Sequence, residues 1–269
     1  MKNLRKLKHQ ELLLLVLIAV FSGASCRNKA PQEAERGEAA DKQQAADDVS
    51  QAEELYRQRE DLSKLRQAIT LLRQARIADY GSYEIAWKLA KFDYYLGAHT
   101  TDERERDDAF REGVEAGKAA VQIAGDKPDG HFWLGANYGG TAEHSIVAGL
   151  ASVEDIRREM EAVIKIDEGY QSGSAYLGLG QLYLQAPKLL GGDTQQAIDY
   201  LQKGLKVGSN NALLRARLAE AYEAAHRDAD ARREIDFILK MTPHPDYLPE
   251  HKEAVDRAKK LLEKMDKKK

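Results

Sequence analysis

The chain has a single cysteine, Cys26, in 269 residues, so no internal disulfide can form and the fold has to stand on an apolar core. Six prolines and very few alternating β-branched runs leave little that would pair as strands, and the region 51–269 reads as helix throughout. Catalytic signatures are missing as well: there is no HExxH, no GxSxG and no Walker loop. His99, His131, His144, His226, His244 and His251 are scattered without metal-ligand spacing, and no second cysteine could join them. Gly178 and Gly180 have no strand leading into them, as a dinucleotide fingerprint would need. The spaced aspartates of a calcium loop are absent. No catalysis, cofactor or metal is expected. An excess of positive charge is lacking too. The net charge is −3, and without residues 1–25, which carry four bases and one acid, it becomes −6. Such a chain has no electrostatic reason to bind nucleic acid or an anionic lipid surface.

What is present begins at the N-terminus. Lys2, Arg5, Lys6 and Lys8 precede an apolar run from Leu12 to Phe21, and small residues lead to Cys26. That is an export signal, and the run is too short for the roughly 20 residues a bilayer-spanning helix needs. Gly23, Ala24, Ser25 and Cys26 resemble the lipobox of bacterial lipoproteins, whose cysteine is acylated, with palmitate among the chains expected, and becomes the new N-terminus. The family has a leucine or similar residue where Gly23 stands. Arg27, where an aspartate would signal retention, points under that resemblance to the outer membrane of a diderm, facing the periplasm. Residues 27–50 contain no aromatic residue, leucine, isoleucine or methionine. The expected organisation is a signal peptide over 1–25, a lipidated disordered tether over 26–50 and a helical domain over 51–269.

Within 51–269 three pieces align: HFWLGANY ending at Tyr138, YLGLGQLY ending at Tyr183 and RARLAEAY ending at Tyr222. Each sets a leucine and a small residue four and three positions before the tyrosine: Leu134 and Gly135, Leu179 and Gly180, Leu218 and Ala219. This resembles the first helix of a tetratricopeptide repeat (TPR), in which the small residue lets a partner helix approach and the large ones fill the gap. The second-helix pattern follows with Ala231, Ile235, Ile238 and Pro243 in the last unit, and with Ala197, Leu201 and Gly204 in the one before. Ile156, Met160 and Val163 continue the third-last unit, and Trp87, Ala90 and Tyr94 with Gly113, Gly117 and Ala120 form a weaker one. A degenerate pair precedes it, and LPEHKEAVDRAKKLLEKM reads as a capping helix. The expected fold is an all-α, TPR-like helical-hairpin solenoid of about four to five degenerate repeats plus a cap.

Extra residues separate the two helices in three successive units, in LGAHTTDERERDD, GGTAEHSIVAGLAS and QAPKLLGGD. Loops at one point of successive repeats would emerge along one edge, where a partner could touch. Pro187 should end a helix near Gln185, Gly191 and Gly192 allow positive φ, and Asp193 with Gln196 reads as a cap that restarts the helix, with Ser152 and Asp155 doing likewise one unit earlier.

In the TPR family ligands lie along the concave face. Carried over, that face is Ile85, Lys88, Phe92 and Tyr95, then Phe132 and Ala136, then Leu177, Gln181 and Leu184, then Ala216, Glu220 and Glu223. It lacks the lysine and asparagine rows that clamp a peptide carboxylate. A face this apolar either grips an apolar ligand or partner helix, or is filled by the protein's own loops and terminal helices.

LGLGQLYLQAPKLLGGDTQQAIDYLQKGLKV, the lipobox and HFWLGANYGG together resemble the TatT-type (T-component) lipoproteins associated with TRAP transporters. The resemblance implies a non-catalytic, lipid-anchored periplasmic protein whose repeats surround a central cavity or pore. It also implies a protein partner, the substrate-binding component of a TRAP-type transporter, an apolar or organic-acid ligand, and oligomeric assembly with that partner. The competing reading is a generic TPR scaffold lipoprotein for envelope assembly or secretion.

Overall fold

The structure, a computed structural model, describes residues 29–144 and 146–267. Eleven α-helices follow one another among them, with no strand: α1 (Lys29–Tyr56), α2 (Leu62–Ala78), α3 (Tyr83–His99), α4 (Glu103–Ile123), α5 (Pro128–His144), α6 (Ile146–Ile166), α7 (Ser174–Gln185), α8 (Thr194–Val207), α9 (Ala212–Ala224), α10 (Asp228–Lys240) and α11 (Leu248–Asp266). Helices pair in sequence order as five antiparallel hairpins from α1/α2 to α9/α10, and α11 packs on α9 and α10 as the cap. The all-α, TPR-like solenoid is therefore the fold. The expected signal sequence and lipidation site, Cys26, lie outside the described residues, and among those described no helix is long and apolar enough to cross a membrane.

The repeat signature is spent on packing. Leu179, Gly180, Ala197 and Leu201 close one hairpin, and a Cβ on Gly180 would stand 2.4 Å from Leu201 Cγ. Leu218, Ala219, Ala231, Ile235 and Ile238 are fully buried in the last one. Leu134 and Trp133 are buried on α5, where a Cβ on Gly117 would meet the Leu134 backbone. Asn137, with no exposure at all, donates from Nδ2 to the carbonyls of Ala90 (2.9 Å) and Trp133 (2.7 Å), tying α5 to α3.

Two expectations are corrected. The stretch read as a tether is helical from Lys29 onward and belongs to α1. Its alanines and glutamates favour helix, Lys42 pairs with Glu38 one turn away, and Ala45, Val49 and Ala52 are buried against α2. A low content of large apolar residues did not prevent packing, because alanine at every second turn is enough when the partner helix comes close. The second correction concerns the three loops. LGAHTTDERERDD and GGTAEHSIVAGLAS lengthen their helices instead of looping out: only 100–102 separate α3 from α4, and only residue 145 separates α5 from α6. Asp102 caps α4 by accepting from the Glu105 amide, and Ser152, expected as a cap, is buried inside α6. One edge loop of the three is present, APKLLGGD.

That loop folds as anticipated at its ends. α7 stops at Gln185, and Asp193 accepts from the amides of Gln195 (2.8 Å) and Gln196 (3.0 Å), a cap of about 1 kcal/mol. Only Gly191 has a positive φ, at 88°. Gly192 is required for a different reason: a Cβ there would lie 1.8 Å from the Ala186 carbonyl oxygen.

Candidate functional site

The helices α1, α3, α5, α7 and α9 form the inner row of the superhelix, and its curvature brings the α1–α2 turn to the start of α11. Arg59 Nη2 donates to Glu250 Oε1 at 2.9 Å, and Lys252 Nζ reaches Glu60 Oε1 at 3.2 Å. The row lines a broad, partly open cavity of about 1950 Å³. Its floor is apolar and formed of small and aromatic side chains on α5 and α7, among them Phe132, Gly139, Leu177 and Gly178, and its opposite wall is the charged face of α11.

At the N-terminal end Tyr56 stacks on Phe92 (centroids 4.1 Å apart, 13° between planes), and Tyr95 stacks on His99 at 3.9 Å. The Arg59 guanidinium sits over both tyrosines, at 4.9 and 5.3 Å. Lys91 Nζ lies 4.6 Å from the Tyr56 ring centre and 5.9 Å from that of Trp133, and burial lowers its pKa to about 8. Burial likewise raises the Tyr56 hydroxyl pKa well above its ordinary value. Among the described residues, three buried polar atoms of cavity-lining residues have no hydrogen-bond partner: Arg59 Nε, Trp133 Nε1 and His251 Nδ1. Polar atoms buried without a partner are a cost to the fold, and these three are shielded from the open space of the cavity.

Of the concave residues read from the sequence, Tyr95, Phe132, Ala136, Leu177, Gln181 and Glu220 line the cavity. The others have other duties. Phe92 is buried beneath Tyr56, Ile85 is in the core, and Lys88 is ion-paired with Glu53 and Glu84. Leu184 packs into the cluster of the last repeats. Glu220 and Glu223 face α11, which answers them with Arg257 (3.5 Å) and Lys264 (3.0 Å). Coverage by the protein's own terminal helix is seen at the C-terminal end of the concave face. Terminal elements cover its ends and leave its middle open. Sequence reasoning did not find Arg59, Trp133, Gly139 or His251, since none of them stands at a concave-face position of the repeat. Among the described residues no three histidine, cysteine, aspartate or glutamate side chains converge as metal ligands.

The model of the family "Regulator of microtubule dynamics protein 1-3" matches residues 48–180, and a tetratricopeptide repeat model matches 188–248. No curated protein matches the chain. A thermophilic TPR protein of Thermus thermophilus is similar in structure with a TM-score of 0.61 at 19% identity, covering 81% of this chain and 98% of that one. MamA (TM-score 0.48, 14% identity, 74% of this chain and 98% of that) and YrrB, described as a TPR protein with an unusual peptide-binding site (0.43, 12%, 79% and 90%), are more distant. The repeat signature, the hairpin order, the repeat model and the likeness to the Thermus protein together make the chain a tetratricopeptide-repeat protein by fold, of a kind that generally serves protein–protein interaction without catalysis.

Proposed function

We propose that this protein is a lipid-anchored periplasmic adaptor that binds the substrate-binding component of a TRAP-type transporter and shelters an apolar or organic-acid ligand in its central cavity. The observation that carries the ligand part is the 1950 Å³ cavity framed by the first turn and the last helix, with an apolar floor on α5 and α7 facing the charged side of α11. Cavities lined mostly by apolar side chains with few polar groups suit small ligands of mixed character. The −6 charge of the chain without residues 1–25 suits a protein partner over nucleic acid. Acylation at Cys26 would hold the adaptor at the outer membrane.

A pull-down from solubilised membranes with the lipidated chain as bait tests the partner. Recovery of a periplasmic binding protein of a TRAP transporter supports the adaptor. Recovery of outer-membrane assembly proteins alone replaces it with the scaffold reading.

A further inference from the structure

We infer that the ligand of the cavity is a planar aromatic molecule that lays its ring on the bare α5 backbone at Gly139, beside Tyr94, and offers an oxygen acceptor to the Tyr94 hydroxyl. The inference rests on the ligand part of the proposed function and names the chemical class of that ligand.

Three observations carry it. First, Gly135, Gly139, Gly140 and Gly178 all line the cavity, yet not for one reason. A Cβ on Gly135 or Gly178 would drive into Met160, and one on Gly140 into Phe110, whereas at Gly139 it would meet nothing within 4 Å. Packing therefore does not ask for glycine at 139, and a helix interior disfavours it. What its bareness leaves is a strip of open backbone that a flat ring can approach closely. Second, aromatic side chains stand beside that strip with surface to spare. Tyr94 on α3 meets Phe110 and Trp133 at tilted angles, with ring centres 6.1 and 5.7 Å apart, and Phe110 lies against Gly140, the neighbour of Gly139. Tyr94 and Phe132 line the cavity and are only half-buried, so part of each ring is left for an offset or edge-on contact with a guest ring. Tyr56 and Tyr95, by contrast, are already covered by Phe92, His99 and the Arg59 guanidinium. Third, the Tyr94 hydroxyl makes no hydrogen bond among the described residues and, unlike the Trp133 N–H, is not sealed off. The charges acting on it come from Glu143 on α5 and from Arg217, Glu253 and Arg257, which line the cavity on α9 and α11. It is thus a free donor at the edge of the aromatic slot. An alkyl chain can fill the same volume but gains nothing from the tilted rings, and a bare hydrocarbon leaves the hydroxyl unpaired.

The test uses the full chain carrying Cys26→Ser, which takes up no acyl chain of its own, and reads the displacement of N-phenyl-1-naphthylamine by its loss of fluorescence. Two carboxylates of similar size compete for the cavity: 2-naphthoate, which is planar, and decanoate, which is a chain. 2-Naphthoate should displace the dye at about tenfold lower concentration, the worth of an aromatic pair beyond its buried area. Gly139→Leu should weaken 2-naphthoate and the dye while the thermal midpoint is kept. Tyr94→Phe should weaken 2-naphthoate several-fold and leave the dye, which has no oxygen, bound as before. Displacement by decanoate at equal or lower concentration overturns the aromatic class and keeps the ligand reading. Unchanged 2-naphthoate affinity in Gly139→Leu overturns the slot at α5, and unchanged affinity in Tyr94→Phe overturns the part given to the hydroxyl. Failure of the dye and both acids to bind overturns the ligand part of the proposed function itself.

Discussion

Tyr170 donates its hydroxyl hydrogen to Asp129 Oδ1 at 2.8 Å, across 41 residues. The other carboxylate oxygen accepts from Tyr83 at 3.2 Å, and the Tyr83 hydroxyl in turn accepts from the Gly130 amide. One carboxylate at the start of α5 thus joins the first residue of α3 to the turn that precedes α7, linking three successive repeats. Asp129→Ala should destabilise the protein by about 2 kcal/mol, since the half-buried Tyr83 and buried Tyr170 hydroxyls lose a charged acceptor. Asp129→Asn, which keeps one acceptor, should cost less. Urea unfolding of both variants checks the order.

Asp93 on α3 is wholly buried, its carboxylate oxygens make no hydrogen bond, and the nearest cation, Arg73 Nη2, is 3.9 Å away. Burial pushes its pKa well above the ordinary carboxylate value. A raised carboxyl pKa favours the folded state while the group is protonated, and that contribution is lost as pH climbs from the unfolded value of 3.8 through the raised one. Asp93→Asn removes this dependence. It should raise stability at pH 7, by about 1 kcal/mol, and leave it little changed near pH 3. Thermal melts of both proteins across that range would show the gap closing toward acid.

Gly180 and Gly139 sit on neighbouring inner helices and should respond oppositely to a side chain. At Gly180, leucine would drive into Leu201 and cost about 1–3 kcal/mol. At Gly139 a Cβ meets nothing within 4 Å, and the position lines the cavity. Replacing a helical glycine by leucine there should stabilise by about 0.5 kcal/mol while filling part of the cavity. Gly139→Leu should thus keep or raise the melting temperature and weaken loading of N-phenyl-1-naphthylamine; undiminished loading would place the probe elsewhere.

Phe132 and Leu184 both come from the concave-face pattern, yet only Phe132 lines the cavity. Phe132→Glu should lower ligand uptake severalfold at a cost of about 1–2 kcal/mol, because its ring is half-buried beside Trp133 and Tyr170. Leu184→Glu should destabilise the last repeats by about 2 kcal/mol, because the side chain is partly buried against their core, and leave uptake by the folded protein unchanged. Circular dichroism on heating separates the two.

The anchor is tested most directly in cells. Cys26→Ser should move the protein from the membrane to the soluble fraction, and its continued sedimentation with membranes would argue against acylation at that residue.

The helical repeat was legible because its signal is periodic packing. Leu134, Leu179 and Leu218 recur with small residues beside them, and no loop or ligand is needed to read that spacing. α1 was not legible because composition reports how much apolar surface a segment brings, not how closely its partner can approach; Ala45 and Ala52 bury well against α2. The long links between α3 and α4 and between α5 and α6 failed as loops for a related reason. Residues such as Glu103, Arg104 and Glu105 are good helix formers, and a repeat motif cannot say where its helices end when nothing like Pro187 interrupts them. In the cavity the sequence supplied Phe132, Leu177 and Gln181 through the repeat register. Arg59, in the turn of the degenerate first pair, and Glu250 and His251, in the capping helix, stand at no signature position and become neighbours of that wall only through the accumulated curvature of five hairpins.

The meeting of Arg59 with Glu250 also limits how such a molecule can change over evolution. An open solenoid tolerates duplication or loss of a hairpin, because each unit only needs a neighbour on either side. Here the first turn and the last helix must arrive at the same place, so the number of units and the rotation each contributes are fixed together. Adding one repeat would carry Glu250 past its partner, and deleting one would leave it short. Variation is instead expected in the length of individual helices and in links such as APKLLGGD, which alter the outline of the molecule without altering the angle through which it turns.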